Sequence, residues 1–391
     1  MKNLKDLNVQ GKRVLLRVDF NVPMNDQGEI TDDLRIRMVL PTIQYLLSQQ
    51  AKLIICTHMG RPKGQRVEKY SLAPIAAYLA IILEKNVALA VDCLGPEVEK
   101  AVARLQNGDV LMLENLRFHP EEEKNDPGFS RQLASLADVY VNDAFAVSHR
   151  AHASVVGVTK FFTDKAPGFL LQKEIDYFHN AMDEPQRPLV AIVGGAKVSG
   201  KLEALENMLK KVDKLILGGA MANTFLKSQG YQLGTSKVED DLLQAALGIL
   251  QKAQEKGVKV YLPVDVIAAA EFAPNAVNKA ATIQDIPTNW MALDIGPASV
   301  LLFKEVLTDA KTIVWNGPMG AFEMDSFARG TMAIAHEVAA AHALSVTGGG
   351  DSNAAIDKAG EAANISYMST GGGAFLMLME GKELPGIAAL N

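Results

Sequence analysis

Five arginines, Arg17, Arg35, Arg61, Arg117 and Arg150, sit in or beside loops that follow short apolar runs in the first half of this 391-residue chain. A guanidinium presents a planar fork of donors that matches a carboxylate or a phosphate, so this residue type suits the capture of a small, multiply anionic ligand. The distribution is uneven: eleven of the twelve arginines precede residue 189, and only Arg329 follows it, whereas lysines are spread throughout. Polar companions accompany the arginines: Asp19 and Asn21 after RVLLRVDF, His58 beside Arg61, His119 beside Arg117, and Asn142, Asp143, His149 and His152 around Arg150. Arg17, Asp19 and Asn21 alternate, which places them on one side if the strand persists. A shared anion cleft is favoured over scattered surface charge. His149 and His152 have an arginine between them and no zinc-motif spacing, which speaks against a zinc site there.

The second half carries a different set of groups. Gly194 and Gly195 follow the apolar run Leu189 to Val193 and lead to Lys197 and Lys201, whose spacing puts both lysines on one side of a helix that begins early enough. A glycine turn at a helix start exposes backbone N–H groups to an anion. Similar turns recur in GGAMANTFL from Gly218, in NGPMGAFE with Asn316, Gly317, Pro318, Gly320 and Glu323, in TGGGDSNAA, and in STGGG at residues 369–373. Within TGGGDSNAA, Asp351 suits magnesium and Ser352 suits a helix cap. Asp265, leaving a strand, and Asp294, in a turn, are further candidates to face a ligand. Repeated glycine turns after apolar strands favour phosphate binding and a nucleotide. Neither GxxxxGK[ST] nor a complete GxGxxG occurs at a suitable junction.

These residues need elements to position them. Apolar runs alternate with helical patterns along both halves: strands at Arg13 to Phe20, in the apolar stretch AKLIICTHMGRPKG that ends at a loop with His58 and Arg61, and at Val87 to Val91, Asp109 to Glu114 and Ala137 to Asn142 are separated by helices such as Ser71 to Glu84. The same grammar continues through Leu215 to Leu217, the amphipathic helix Leu242 to Lys256, and strands at Lys259 to Pro263, Thr312 to Trp315 and Leu344 to Val346. Strand–helix alternation predicts mostly parallel sheets with right-handed crossovers. A helix over Leu170 to Met182, closed by Asp183, Pro185 and Pro188, divides the halves. The length allows two domains, and 48% hydrophobic with 21% charged residues fits a globular protein. A net charge of −6 argues against nonspecific nucleic-acid binding. Cys56 and Cys93, both amid apolar residues, read as buried thiols rather than a disulfide. No run is long enough to span a membrane, and the start has no signal-peptide pattern, so a cytoplasmic protein is expected.

The ordered motifs RVDFNVP (17–23), HMGRP (58–62), ENLRF (from 114), NDAFAVSHRAHAS (from 142), GGAKVSGK (from 194), LGGAMANTFL (from 217), DIGP (from 294), WNGPMGAFE (from 315), GGGDSN (from 348) and STGGGA (from 369) resemble the phosphoglycerate kinase family over essentially the whole chain. The resemblance implies an α/β fold of two Rossmann-like three-layer α/β/α domains with mostly parallel sheets, joined by a hinge helix. It implies a phosphoglycerate-binding domain at 1–169, a helix and linker at 170–188, a nucleotide-binding domain at 189–375 and a tail at 376–391 returning to the first domain. The implied reaction is reversible phosphoryl transfer from 1,3-bisphosphoglycerate to ADP, giving 3-phosphoglycerate and ATP. Mg2+ would act as MgADP or MgATP, the protein would be a cytoplasmic monomer, and catalysis would use hinge bending across a cleft between the domains.

Carried over residue by residue, Asp19, Asn21, Arg35, His58, Arg61, Arg117 and Arg150 would bind phosphoglycerate. Arg35, Lys197, Lys201, Gly349 and Gly372 would serve transfer. Lys197, Gly219, Asn316, Pro318, Glu323, Gly349, Gly350, Asp351 and Ser352 would bind nucleotide, Asp351 would hold the metal, and Gly371 would lie near the transferring phosphate. The chain departs from the commonest family wording at Ala146, Ser352, Tyr367 and Phe375, none of which removes an expected charged catalytic group. A nicotinamide oxidoreductase would instead show an early dinucleotide fingerprint. A phosphate-binding scaffold would keep the clefts without the complete arginine, lysine and aspartate set.

Overall fold

A computed structural model describes residues 1–391, which form two compact units: Met1–Ile175 with Glu383–Asn391, and Asp176–Lys382. The first unit is built on strands β1 (Arg13–Arg17), β2 (Lys52–Cys56), β3 (Val87–Leu89), β4 (Val110–Met112), β5 (Val139–Asn142) and β6 (Lys165–Pro167). They pair in the order β3-β4-β2-β1-β5-β6, every pairing parallel. Helices α1 (Leu34–Ser48), α2 (Ala73–Leu83), α3 (Pro96–Ala103), α4 (Pro120–Glu123) and α5 (Pro127–Ser135) fall between the strands. Val14 and Leu16 of β1 pack into a core with Ile36, Val39 and Ile43 of α1 and Ile75 and Leu79 of α2. Leu15, on the opposite face, is also fully buried. A sheet covered on both faces has no polar side, which is why its strands read as unbroken apolar runs.

The second unit repeats the plan with β7 (Leu189–Val193), β8 (Lys214–Leu217), β9 (Lys259–Tyr261), and, after an intervening small sheet, β13 (Thr312–Asn316), β14 (Leu344–Thr347) and β15 (Tyr367–Met368). Their order is β15-β14-β13-β7-β8-β9, again all parallel. The small sheet pairs β10 (Asp265–Ala269) in antiparallel fashion with β11 (Asn278–Thr282) and β12 (Met291–Ile295). The sequence reading did not anticipate it, because β11, NKAAT, is mostly exposed and offers no apolar alternation. Asp294, expected in a turn, lies in β12. Helix α6 (Phe169–Met182) carries the chain from the first unit into the second, followed by α7 (Leu202–Met208), α8 (Gly219–Ser228), α9 (Leu243–Glu255), α10 (Pro297–Leu307), α11 (Arg329–Ala340), α12 (Gly350–Lys358) and α13 (Gly372–Met379). None of these helices is long and apolar enough to cross a membrane.

The chain returns to the first unit at Glu383, later than the expected 376, because residues 376–379 complete α13. There α14 (Pro385–Ala388) is held by Gly386 N–H donating to the Ser148 carbonyl at 2.9 Å, and the Lys165 ammonium donates to the Ala389 carbonyl at 2.8 Å.

Asp143 fixes the start of α6. Its Oδ1 accepts the Leu171 N–H at 2.9 Å, and a Cβ on Gly168 would stand 2.2 Å from its carboxyl carbon. Burial pushes this carboxyl up to about 7, against the N–H bonds that favour its charge. Between an unfolded value of about 4 and about 7, the folded chain therefore holds a proton that the unfolded chain has lost. Stability from this group is complete at low pH and falls as pH rises through that window, by up to about 1.4 kcal/mol per pH unit. Asp143→Asn should remove that component. Urea melts of both proteins across the window should show their stability difference changing with pH, and a constant difference would refute the assignment.

Candidate active site

In the first unit the predicted groups converge because parallel strands end on one edge of the sheet. Asp19 and Asn21 follow β1, His58 and Arg61 follow β2, Arg117 follows β4, and His149 and Arg150 follow β5. Arg35 reaches in from the first turn of α1. It donates through NH1 to Asp19 Oδ2 at 2.9 Å and to the Asn21 carbonyl at 3.1 Å. Asn21 Oδ1 accepts the Gly60 N–H at 2.9 Å, and Arg117 NH1 donates to the Gly60 carbonyl at 2.8 Å, so the loops after β1, β2 and β4 are tied together. Arg61 projects into solvent, and Arg150 donates through Nε to His149 Nε2 at 3.1 Å.

Arg17 is the exception to the expected cleft. β1 ends at Arg17, so the alternation with Asp19 and Asn21 does not persist, and the side chain is 1% exposed. Its Nε donates to Ser154 Oγ at 2.8 Å, NH1 donates to the Val18 carbonyl, and NH2 approaches His58 Nδ1 at 3.3 Å. Arg17 therefore supports the cleft from beneath. Ser154 is held in turn by Glu122, which accepts its N–H at 2.9 Å and its hydroxyl at 2.6 Å. The sequence reading missed Glu122: three consecutive glutamates look like a solvated face, yet this one is completely buried.

The charge imbalance is large. Burial and the nearby Arg17, Arg117 and Arg150 hold His58 well below the usual histidine range, and the same causes bring His152 to about 3. Both imidazoles are neutral. With Nδ1 accepting from Arg17, His58 keeps Nε2–H as a donor. Burial and the repulsion of Arg150 and Arg17, partly offset by Glu123, pull the Arg117 guanidinium down. Its buried Nε and NH2 have no hydrogen-bond partner, although Nε lies 3.3 Å from Glu123. Donors buried without acceptors are costly, and a bound anion would complete them.

In the second unit, Lys197 and Lys201 both precede α7 and do not share a helix face. Lys197 is exposed, whereas Lys201 stands just before the first residue of α7 and turns inward. Its ammonium donates to the carbonyls of Gly194 at 2.8 Å and Asn316 at 3.1 Å, at the ends of β7 and β13. Burial brings it down to about 8, opposed by attraction to Asp351. Two of its three N–H donors are thus used and one remains.

A cavity of about 480 Å³ opens beside this point, walled by β10 and β12 and by the loops after β7, β8 and β13. Of the predicted nucleotide contacts, Gly219, Pro318, Glu323 and Asp351 line it; Lys197, Asn316, Gly349, Gly350 and Ser352 do not. Thr235, Lys237 and Phe272 also line it and were missed, since they lie in loops without a run of glycines. Asp265 faces no ligand: its carboxylate accepts the N–H groups of Ala298 and Ser299 at the start of α10.

Ser352 does not cap α12. Its hydroxyl accepts the Gly317 N–H at 2.6 Å and donates to the Gly348 carbonyl at 3.1 Å, while Asn316 Nδ2 donates to the same carbonyl at 2.6 Å. These bonds hold the loops after β13 and β14 together. A Cβ on Gly372 would approach Gly349 Cα at 3.2 Å, so the N-termini of α12 and α13 meet where neither chain has a side chain. Exposed N–H groups at two adjoining helix starts form an anion cradle. Phe375, one of the unusual residues, lies under Gly348 and packs edge-on against Phe178 of α6, with ring centres 5.8 Å apart; Tyr367, another, stacks on Tyr177 at 4.4 Å.

The family model for phosphoglycerate kinase matches residues 4–382. The chain belongs to the phosphoglycerate kinase family. It is 67% identical over 391 residues to the phosphoglycerate kinase of Desulfotalea psychrophila, with all of both chains covered. To the phosphoglycerate kinase of Geobacter metallireducens it is 59% identical over 384 residues, covering 98% of this chain and 96% of the other. Its structure is similar to that of phosphoglycerate kinase from Coxiella burnetii, with a TM-score of 0.92 and 43% identity, and to that from Pyrococcus horikoshii OT3, with 0.82 and 35%; each covers 100% of this chain and 98% of that chain. Membership makes the chain a phosphotransferase and agrees with the anion-binding chemistry of both clusters.

The nucleotide-side loops of this family member tolerate little bulk. Gly219 has φ +66°, and a Cβ there would lie 2.5 Å from Gly195 N and 2.8 Å from the Pro318 carbonyl. Gly219→Ala should cost about 2 kcal/mol or more of stability and weaken ADP binding at least about tenfold as the turns separate. Calorimetric melting and ADP titration would check this, and unchanged ADP affinity would show that the loops can reshape.

Proposed function

We propose that the chain catalyses reversible phosphoryl transfer from 1,3-bisphosphoglycerate to ADP, giving 3-phosphoglycerate and ATP, with its two anion sites divided between the ligands. The observation that carries this reading is chemical asymmetry. The first unit gathers guanidinia, with unpaired donors on the buried Arg117, suited to a small polyanion; the second offers glycine turns, helix starts and Lys201, suited to a phosphate chain. Asp19, Asn21, Arg35, His58, Arg61, Arg117 and Arg150 take the phosphoglycerate. Gly219, Pro318, Glu323 and Asp351 take the nucleotide at the cavity, with Lys197 reaching the phosphates from its exposed loop. Asn316 and Ser352 act by holding the backbone that does so.

In the ATP-consuming direction the acceptor is a carboxylate, ionised near neutral pH, so transfer needs no strong general base. It needs alignment and neutralisation of crowded negative charge. Lys201 can supply both, because two carbonyls fix its ammonium, it remains mostly protonated at pH 7, and its third N–H is left for a phosphoryl oxygen. Arg35 uses NH1 to fix itself on Asp19 and keeps its other donors for ligand. The N–H groups of Gly349, Gly350 and Gly372 donate to the transferring group, while the Gly371 N–H donates to Ser369 Oγ at 3.3 Å.

Magnesium fits the donor set. Asp351 is an exposed carboxylate in the first turn of α12, on the cavity wall, with no hydrogen bond or ion pair of its own. One carboxylate plus substrate phosphates is a common way to hold this hard cation, which when bound would shield the phosphate oxygens. We extend the reading to MgADP and MgATP as the bound forms, to a monomer in the cytoplasm, and to bending of the chain about α6 during turnover.

Lys201→Ala should lower kcat by at least about 100-fold while changing ADP affinity far less, because its free donor is used in transfer. Coupled ATP-formation assays with ADP titrations would measure both; equal, small effects would exclude the role. Arg61→Ala should weaken 3-phosphoglycerate binding about tenfold or more and spare ADP. Calorimetry showing unchanged 3-phosphoglycerate affinity would reject Arg61 as a clamp.

A further inference from the structure

Away from the phosphoglycerate cluster, the first unit brings together three groups that the transfer reaction does not use. Asp92 and Cys93 lie in the turn after β3, and His119 follows the short helical turn Leu116–Phe118 after β4. One ligand atom from each of Asp92, Cys93 and His119 lies within 4.8 Å of the other two. His119 Nε2 is 2.7 Å from Asp92 Oδ1, and their side chains are about one-third exposed, at 31% and 37%. Cys93 is fully buried behind them and free of any disulfide. The trio has no motif spacing: twenty-five residues separate Cys93 from His119, and only the parallel pairing of β3 with β4 makes them neighbours.

We infer that Asp92, Cys93 and His119 form a binding site for a borderline-soft divalent cation of the zinc class. Sulfur, imidazole nitrogen and carboxylate oxygen are the three donor types such a cation accepts, and three protein ligands leave a fourth position open to water. Hard cations prefer all-oxygen sets, so a thiol among the ligands separates this site in kind from Asp351. Tetrahedral bonds of about 2.0–2.3 Å place ligand atoms roughly 3–4 Å apart, so Cys93 Sγ must draw in towards the other two by up to about 1 Å, while Asp92 Oδ1 and His119 Nε2, 2.7 Å apart, open slightly. The partly exposed Asp92 and His119 side chains make this adjustment, with Asp92 Oδ1 also accepting the Cys93 N–H at 2.6 Å. Binding is balanced by loss of the thiol proton to solvent: the Cys93 S–H bond breaks, a metal–sulfur bond forms, and neutral His119 coordinates through Nε2, exchanging its contact with Asp92 for the shared cation. Neither oxidant nor reductant is involved.

The ordinary account of these residues is a His119–Asp92 ion pair beside an inert core thiol. Cobalt(II) distinguishes the two readings, because a thiolate ligand gives it a sulfur-to-metal charge-transfer band that carboxylate and imidazole alone do not. The full chain, reduced and stripped of metal, would be titrated with Co2+ without nucleotide and with magnesium in excess, which keeps Asp351 out of the reading. A saturable one-to-one band displaced by Zn2+ is expected. Cys93→Ser should abolish it, and His119→Gln, a substitution at a partly exposed position that leaves the thiol in place, should weaken apparent affinity at least about tenfold. Cys56→Ser should leave the band intact. Zn2+ should also raise the melting temperature of the unmodified chain and not that of His119→Gln. No charge-transfer band at saturating Co2+, or a band that survives Cys93→Ser or keeps its affinity in His119→Gln, would overturn the site.

Discussion

A parallel sheet covered on both faces confines polar chemistry to the ends of its strands. Leu15, Ile54, Leu111 and Tyr140 occupy facing positions across four strands of the first unit and all are buried, as are Val190, Ile192, Ile313 and Val314 in the second. Neither sheet can carry a charged side chain through its middle without a desolvation cost that nothing there would repay. Every group assigned to ligand binding accordingly lies where a strand stops or a helix starts. Because the strands run the same way, those ends share one edge in each unit, and residues as distant in sequence as Asn21 and Arg117 converge on the same loop.

The two units favour anions by different electrostatic means. In the first, full charges are concentrated until they disturb one another: burial, reinforced by Arg17, Arg117 and Arg150, keeps His58 and His152 neutral, and burial with Arg150 and Arg17 pulls Arg117 down. A polyanion would relieve that repulsion, so the cluster is organised around the charge it accepts. In the second, partial charges dominate. Helix starts at Gly349–Gly350 and Gly372 present N–H groups, and the ammonium of Lys201 is restrained by carbonyls rather than by a carboxylate partner. That restraint leaves its third N–H unpaired.

Buried carboxyls hold both arrangements in shape. Glu122 supports Ser154 and through it Arg17. Asp143 receives the start of α6. Asp294 accepts the Gly330 N–H at 2.7 Å, which fixes the start of α11 behind the cavity wall, and burial pushes its carboxyl up to about 7. Each accepts backbone or hydroxyl hydrogens that would otherwise be orphaned, so their value lies in satisfied donors rather than in net charge. The family's unusual residues also settle into structural roles: Phe375 and Tyr367 pair with Phe178 and Tyr177 of α6, joining that helix to the elements that carry the phosphate loops of the second unit.

The sequence by itself determined the alternation of apolar strands and helices, the arginine-rich and glycine-rich halves, and the ordered motifs that mark the family, because each of these is a local property of residue type and spacing. It located His58, Arg117, Lys201 and Asp351 for the same reason: each follows an apolar run at a junction. Tertiary structure decided which of the candidates stay open to the clefts. Arg17 and Ser352 looked as available as Arg61 and Asp351, yet burial and hydrogen bonding turned the first two into supports. Asp265 became a helix cap, and Glu122 was drawn from an acidic run into the core. The antiparallel sheet behind the cavity, the lining residues Lys237 and Phe272, and the meeting of Cys93 with His119 depend on which strands and loops become neighbours. That choice is made by packing between distant segments, which no local pattern encodes.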